Sequence, residues 1–402
     1  MIEYEENPDG INRAEIVVGI PSFNEASSIG YPTKQAGEGL VKFFGNKLSV
    51  IINCDNCSTD NTKDAFLETP TPVPKIYIST PPGVHGKGIN FRNLFYKACE
   101  LKAEAIIVVD ADLKSITPQW IQRLGEPLLR DFDYVIPLYV RHKYDGTITN
   151  NIAYPLTRAL YGRRVRQPIG GEFGFSGKLS ETFLKDGFWD ESVSHFGIDI
   201  WMTTIAINKA ASICQSFMDR PKIHRTKDPG LQLGPMFREV TGTIFSLMIT
   251  FADIWKEVRW SKPTAIFGFG LGEVERPPSV TIDEENLFKK FMKGFNSCKE
   301  TWPTIIDENN YGKLLEIRDI DYNHFDFPTH LWARILFDFA IAFKNRPSDR
   351  TLILDALIPL YLAKTLCFVK KSRRMSIRQV EEFIENECMV FEETKPYLLQ
   401  RW

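Results

Sequence analysis

A run of five apolar residues, Ala105-Ile106-Ile107-Val108-Val109, closes on Asp110-Ala111-Asp112. A run this short, rich in Ile and Val, reads as a strand buried on both faces, the setting that a parallel sheet between helices provides. In open α/β sheets, ligands bind beyond the carboxyl ends of the strands. Two carboxylates one residue apart at such a point suit a hard divalent cation that bridges phosphate oxygens. The plain alternative is that Asp110 caps the strand end and Asp112 is an exposed turn residue.

The surrounding segments repeat the pattern. Short apolar runs at 16–20, 48–52, 76–78 and 134–140 alternate with helically spaced stretches at 38–44, 91–101 and 118–129. This alternation predicts an α/β fold, a mainly parallel sheet with helices on both faces. Beyond residue 228 the strand signals nearly vanish, and 244–260, 286–295, 331–343, 352–369 and 377–388 read as helices. The break at 263–278, with Gly268, Gly270 and Gly272, has no strand-turn-helix context and reads as a loop. The expected organisation is a catalytic unit over residues 1–230 and a mainly helical unit over 231–402. The helical unit would lie on the acceptor side and offer a dimer surface.

Two packed units suit 402 residues. A net charge of −2 supplies no general attraction to nucleic acid or to anionic membrane. Seven cysteines suggest reduced thiols in a cytoplasmic protein. Cys54-Asp55-Asn56-Cys57 lacks the second pair that a zinc site would need. The acidic N-terminus does not read as a signal peptide. No apolar run reaches the roughly 20 residues that span a bilayer.

Several loops carry chemistry. Pro21-Ser22-Phe23-Asn24-Glu25 and the stretch from Asp55 to Thr62 follow the first two strands. Their Asp and Asn side chains can meet a base edge or ribose hydroxyls, while Ser58 or Asp60 can also cap the next helix. Gly86-Lys87-Gly88 sets a lysine beside a helix N-terminus, which suits phosphate, though a plain surface lysine is the alternative. Thr147 and Thr149 precede an apparent helix at 152–161, whose free amides would hold an anion. Arg141 adds a bidentate partner for a carboxylate. Alternatively, Thr149 only caps that helix and Arg141 is a solvated strand-end charge. Asp199 opens a helix, where the dipole favours an acid. His224 stands among the basic residues Lys222, Arg225 and Lys227.

Taken in order, these elements resemble the GT-A glycosyltransferases, the first two being close to the glycosyltransferase family 2 type. Gln167-Pro168-Ile169-Gly170-Gly171-Glu172 resembles the Gln-Pro-Leu-x-Gly-Glu segment of the retaining enzymes that make mannosylglycerate and glucosyl-3-phosphoglycerate. Phe196-Gly197-Ile198-Asp199 resembles their Trp-Gly-Ile-Asp, and Ile223-His224-Arg225 their metal-ligand histidine followed by arginine. Arg141, Asp145 and Thr149 have the spacing of the family's acceptor trio. The helical stretch from Phe325-Asp326-Phe327 onward is also similar.

The resemblance implies a GT-A, Rossmann-like sheet and a set of roles. Asp112 and His224 would hold Mg²⁺ or Mn²⁺ together with the diphosphate. The donor would be UDP-glucose, GDP-glucose or GDP-mannose. Pro21, Phe23, Asn24, Glu25, Asp55, Lys87, Asp110, Ala111, Gly170, Gly171 and Glu172 would contact it. Lys87, Glu172 and Asp199 would serve catalysis: Lys87 by offsetting diphosphate charge, Glu172 by hydrogen-bonding sugar hydroxyls, Asp199 by orienting the sugar or the incoming hydroxyl. Arg141, Asp145, Thr147 and Thr149 would take glycerate or 3-phosphoglycerate. The phosphoglycerate-specific pattern Gly-Arg-x-Thr is replaced here by Gly146-Thr147-Ile148-Thr149, without the arginine. Retention of configuration is implied by the family alone. An inverting family 2 transferase with Asp199 as base, and a non-catalytic sugar-nucleotide binder, are the alternatives. A nucleotidyltransferase would need a glycine-rich arginine-lysine loop where Pro21 to Glu25 stands.

Overall fold

The computed structural model describes residues 2–224, 229–268 and 275–402, with backbone alone for 229–233. Arg225, Lys227, Gly270 and Gly272 lie outside the described residues. The strands in chain order are β1 (Tyr4–Glu6), β2 (Ile16–Ser22), β3 (Ser49–Asp55), β4 (Lys75–Ser79), β5 (Ala105–Val108), β6 (Tyr134–Tyr139), β7 (Arg163–Arg164), β8 (Phe173–Ser176), β9 (Ile213–Met218), β10 (Lys262–Pro263) and β11 (Ala265–Phe267). Up to residue 208 the helices are α1 (Gly30–Phe44), α2 (Thr62–Glu68), α3 (Lys87–Glu100), α4 (Pro118–Gly125), α5 (Tyr154–Tyr161), α6 (Gly177–Lys185), α7 (Glu191–Ser194) and α8 (Ile198–Asn208). Beyond it come α9 (Pro229–Thr250), α10 (Ala252–Trp255), α11 (Glu284–Ser297), α12 (Trp302–Ile305), α13 (Glu308–Arg318), α14 (Thr329–Asn345), α15 (Arg350–Ser372) and α16 (Ile377–Arg401).

Two compact units result. The first joins Met1–Arg141, Arg166–Asp228 and Thr264–Pro278, and the second joins His142–Val165, Pro229–Pro263 and Ser279–Trp402. Each unit is therefore built from segments that are not continuous in sequence. The segment His142–Val165 goes with the helices because α5 is buried along its whole length, Tyr154 through Tyr161. In the other direction, β11 extends the sheet by pairing parallel to β9. That strand lies in the break that reads as a loop from sequence; three residues are too few for alternation to register.

The first unit is the expected α/β layer structure. Its sheet runs β1-β4-β3-β2-β5-β8-β6-β9-β11. Pairing is parallel for β4-β3-β2-β5 and for β6-β9-β11. Strand β1 is antiparallel at one edge, and β8 is antiparallel to both β5 and β6. Every residue of β5 is fully buried, as its unbroken apolar run demands. On one face Val18, Ile20, Ile51 and Ile107 pack with Leu40 of α1 and Trp120, Ile121 and Leu124 of α4. Elsewhere in this unit the core is aromatic: Phe95 of α3 meets Phe175 of β8 at 5.4 Å and Phe183 of α6 at 5.2 Å, and Phe183 meets Trp201 of α8 at 5.4 Å.

The second unit is helical, with a short parallel pair between β7 and β10. Arg158 of α5 is buried and bridges Glu392 of α16 at 2.7 Å and Glu385 at 2.5 Å. Trp302 of α12 donates to the Ala356 carbonyl of α15 at 2.8 Å. The stretch Pro347–Ser372, which contains α15, is long and apolar enough to cross a membrane, yet 78% of its apolar window is buried inside the protein. That is the behaviour of a core helix. Helix α16 runs 13 residues past the expected end at 388, because its Glu- and Lys-bearing second half still forms helix; a Ser376–Gln379 capping box starts it.

Register decides what reaches the sheet edge. Ser22 lies opposite Asp55, and Asp55 opposite Ser79, so the loops after β2, β3 and β4 open side by side. Antiparallel β8 sets Phe173 opposite Val108. Glu172 thus enters the sheet where Asp110 leaves it. Ile107, at the middle of this arrangement, is fully buried. Ile107→Ala is expected to cost about 2–5 kcal/mol of stability, read by chemical denaturation, because the cavity would sit in the centre of the sheet.

Candidate active site

The loops after β2 and β3 are knitted together. The Asn24 amide donates to Ser58 Oγ at 2.7 Å, and the Thr59 amide to Asn24 Oδ1 at 3.0 Å. The Glu25 amide donates to Thr62 Oγ1 at 2.8 Å, and the Ala26 amide to Asp60 Oδ2 at 3.1 Å. Asp60 also accepts from the Thr62 amide at 3.2 Å, but the residue at the cap position of α2 is Asn61, and neither Ser58 nor Asp60 caps the helix. Asp55 is fully buried and accepts from Ser22 Oγ at 2.6 Å, Ser58 Oγ at 2.6 Å, the Ser58 amide at 2.7 Å and Tyr77 at 2.9 Å. Its oxygens are committed to shaping the loop. Phe23 is exposed, and its ring lies 4.7 Å from that of His85.

Lys87 is the first residue of α3, and Gly86 and Gly88 hold it in place. Gly86 has φ +153°, and a Cβ there would stand 2.1 Å from the Ser194 carbonyl oxygen. A Cβ at Gly88 would stand 1.8 Å from the Val193 carbonyl oxygen. The start of α3 is therefore pressed backbone to backbone against the end of α7. This brings Lys87 to Asp199, the second residue of α8. Lys87 Nζ lies 3.2 Å from Asp199 Oδ1 and 3.3 Å from Asp110 Oδ1.

A second lysine extends the chain of charges. Lys222 Nζ lies 2.8 Å from Asp110 Oδ2, 2.8 Å from Glu172 Oε1 and 3.1 Å from the Gly170 carbonyl oxygen. Asp199, Lys87, Asp110, Lys222 and Glu172 thus alternate in sign. Side-chain exposure is 22% at Asp110, 16% at Lys87, 12% at Asp199, 8% at Lys222 and 0% at Glu172. A ligand can reach the first three. Glu172 has no exposed surface and is paired with Lys222. Gly170 and Gly171 precede it in a tight turn, with Gly171 at φ +91°. Sequence reading counted Lys222 only among the basic neighbours of His224; its distance from the acids along the chain hid its partners.

Electrostatics follow from that geometry. Burial would push Asp110 up, but Lys222 and Lys87 together hold it well below the usual carboxylate range. Burial dominates at Glu172 and pushes it well up, with Lys222 opposing. Burial also raises Asp199, against the pull of Lys87. For both lysines burial works against the charge, but the acids outweigh it and keep each ammonium above the usual lysine range.

Asp112 and His224 come from different strands' loops and are brought close by the backbone. Leu113 and His224 form an isolated antiparallel bridge, and the Lys114 amide donates to the Ile223 carbonyl at 2.8 Å. Asp112 is buried, and its Oδ2 has no hydrogen-bond partner. No group of three His, Cys, Asp or Glu able to hold a metal gathers among the described residues. Ala111, between the two acids, is buried in the core of the sheet.

Of the expected acceptor residues, Arg141 belongs to the first unit. Its Nε donates to Gln167 Oε1 at 3.2 Å, and its guanidinium lies 5.2 Å from the Tyr139 ring. Asp145, Thr147 and Thr149 belong to the second unit. Thr147 Oγ1 meets the Tyr361 hydroxyl at 2.5 Å. Thr149 starts a wide π-type turn, Thr149–Ala153, that precedes α5; it does not cap the helix. Such turns recur at functional sites.

The first unit is an α/β sheet with acids and lysines gathered beyond the carboxyl ends of its strands, the class expected from sequence. Residues 73–245 match the family described as mannosylglycerate synthase, GT domain, which bears out the resemblance carried by the motifs. The mannosylglycerate synthase of Rhodothermus marinus is 29% identical over 152 residues, covering 35% of this chain and 36% of that protein. The match thus spans about a third of this relative's length. Among solved structures, glucosyl-3-phosphoglycerate synthase from Mycobacterium tuberculosis in complex with Mn²⁺, UDP and glucosyl-3-phosphoglycerate is 24% identical. It aligns over 58% of this chain and 80% of that one, with a TM-score of 0.46. The same protein in complex with Mg²⁺ and UDP is 22% identical over 58% and 79%, also at 0.46.

The backbone contact around Lys87 makes a prediction of its own. Gly88→Ala is expected to cost about 1–3 kcal/mol, because two backbone segments must part to admit the methyl group. Gly187→Ala, where a Cβ meets nothing within 4 Å, should stay within about 0.5 kcal/mol of wild type. Denaturation midpoints of the two variants check the contrast.

Proposed function

We propose that this chain is a metal-dependent retaining glycosyltransferase that moves a hexose from a nucleotide diphosphate to a small hydroxy acid of the glycerate class. The observation that carries the reading is the buried Asp112 Oδ2, which meets no hydrogen-bond donor, in a loop bonded to the His224 segment. A carboxylate and an imidazole form a suitable donor set for Mg²⁺ or Mn²⁺. When bound, the cation would neutralise diphosphate charge, taking its remaining ligands from phosphate oxygens and water. The match over residues 73–245 spans Lys87, Asp110, Asp112, Glu172, Asp199 and His224 and supports the same reading.

The residues of the chain would divide the work. Lys87 stays an ammonium and, with some surface open, offsets charge on the departing diphosphate. Asp199 lies beside it and would orient the donor sugar or the incoming hydroxyl. Asp110 would face ribose or a water. The loops at Pro21–Glu25 and Asp55–Thr62 would bound the nucleoside, with Asp55 acting from behind as their frame. Arg141 offers a planar fork to the acceptor carboxylate. Asp145, Thr147 and Thr149 are kept as acceptor-side residues on the resemblance alone. Front-face displacement needs no separate base, since leaving phosphate can take the acceptor's proton. Positioning and charge stabilisation then supply the rate. The upward shift of Asp199 favours one alternative, in which it serves as base in an inverting reaction.

Purified protein offered UDP-glucose, GDP-glucose and GDP-mannose, each with glycerate or 3-phosphoglycerate, is expected to form one product that a chelator abolishes. NMR of that product should show the donor's anomeric configuration; the opposite anomer would assign the base role to Asp199. Asp112→Ala and His224→Ala should each lower metal-dependent turnover by more than about 100-fold while circular dichroism and the melting midpoint hold. Near-normal turnover in both would end the metal assignment.

A further inference from the structure

Lys222 has no part in the reading above, yet it is the most connected group of the cluster. Its ammonium reaches Asp110 Oδ2 at 2.8 Å, Glu172 Oε2 at 3.0 Å and the Gly170 carbonyl oxygen at 3.1 Å. With Glu172 Oε1 also at 2.8 Å, its ammonium is surrounded by two carboxylates and a carbonyl. These contacts join three stretches far apart in sequence: the end of β5, the turn before β8 and the segment after β9. The lysine's own backbone is fixed, because the Ile223 amide donates to Ser115 Oγ at 2.9 Å and the Ile223 carbonyl accepts from Lys114 at 2.8 Å.

The turn is shaped around this side chain. Gly171 has φ +91°, and a Cβ there would stand 2.7 Å from Lys222 Nζ and 2.8 Å from Asp110 Oδ2. Glycine at 171 leaves the room in which the lysine and the acid meet. Glu172 has no exposed surface, and Lys222, itself only 8% exposed, lies 2.8 Å from its Oε1.

We infer that Lys222 is a positioning residue of the transfer site. It clamps the Gly170–Glu172 turn onto Asp110 and so sets the wall against which the donor is held. This rests on the reading of the site as a transferase; the clamp itself can be tested without it.

In ligand-free protein, Lys222→Met and Gly171→Ala should each lower the urea midpoint. The double variant should lose clearly less than the sum of the two, since both break one clamp. Strictly additive losses would overturn the inference. In turnover with the donor and acceptor that wild type uses, Lys222→Met should lower kcat roughly 10–100-fold, with a smaller change in donor KM, as for other groups that orient a site from behind. Lys222→Arg should recover most of that loss. An unchanged kcat in Lys222→Met, or equal losses in Met and Arg variants of equal midpoint, would overturn it. If Lys222→Met fails to fold, Lys222→Arg and Gly171→Ala carry the same comparison. Wild type that transfers no sugar from any donor would instead sink the functional reading, and the urea cycle would still decide the clamp.

Discussion

The site depends on one constraint: charges of both signs are held together where the sheet excludes most water. An isolated carboxylate or ammonium in such a place carries a heavy desolvation cost and would neutralise instead. Alternation from Asp199 through Lys87, Asp110 and Lys222 to Glu172 offsets that cost, each lysine lying between two acids. With three acids and two cations, the cluster carries one negative charge in excess when all are ionised. Burial raises Glu172 and Asp199, against the pull of Lys222 and Lys87 beside them. A cation-bearing ligand is one way to relieve that excess, and Asp112 stands two residues from Asp110.

The antiparallel strand makes the cluster possible. In an all-parallel sheet, the stretch before β8 would lie at the far edge from the end of β5. Because β8 runs against both neighbours, its first residue meets the last of β5, and Glu172 comes to Asp110 through pairing alone. The helices then supply the rest. Lys87 opens α3 and Asp199 is second in α8. A lysine at a helix N-terminus is disfavoured by the dipole, which the two acids beside it counter. The same N-terminus is suited to phosphate.

Much of this was readable from the chain because it is local. The runs at 16–20, 48–52 and 105–109 became β2, β3 and β5 within three residues at each end, since buried parallel strands announce themselves by unbroken apolar residues. Asp110, Asp112, Lys87 and the loops after the first two strands fall at the carboxyl edge for the same reason. What was not readable is relational. Strand β8 has only four residues, Phe173–Ser176, with glycine second, and no period stands out. Lys222 gains its partners at Asp110 and Glu172 only through pairing that no spacing encodes. Asp55 reads in sequence as a strand-end acid presented to a ligand at the sheet edge and is fully buried, because Ser22, Ser58 and Tyr77 converge on it. The stretch His142–Val165 follows a strand in sequence, but a helix buried from Tyr154 through Tyr161 can satisfy its apolar surface only among other helices.

Exposure orders the parts of the site by task. Groups that meet reacting atoms need some open surface; groups that hold them in place do better without it, because a dry environment strengthens each contact and limits motion. Asp110, Lys87 and Asp199 retain surface, while Glu172 has none and Lys222 very little. An acid such as Glu172 is buried, pushed up by that burial and paired with an ammonium. It is well placed to fix Lys222, which fixes the turn. A buried acid and a buried lysine are thus both spent on holding one turn still.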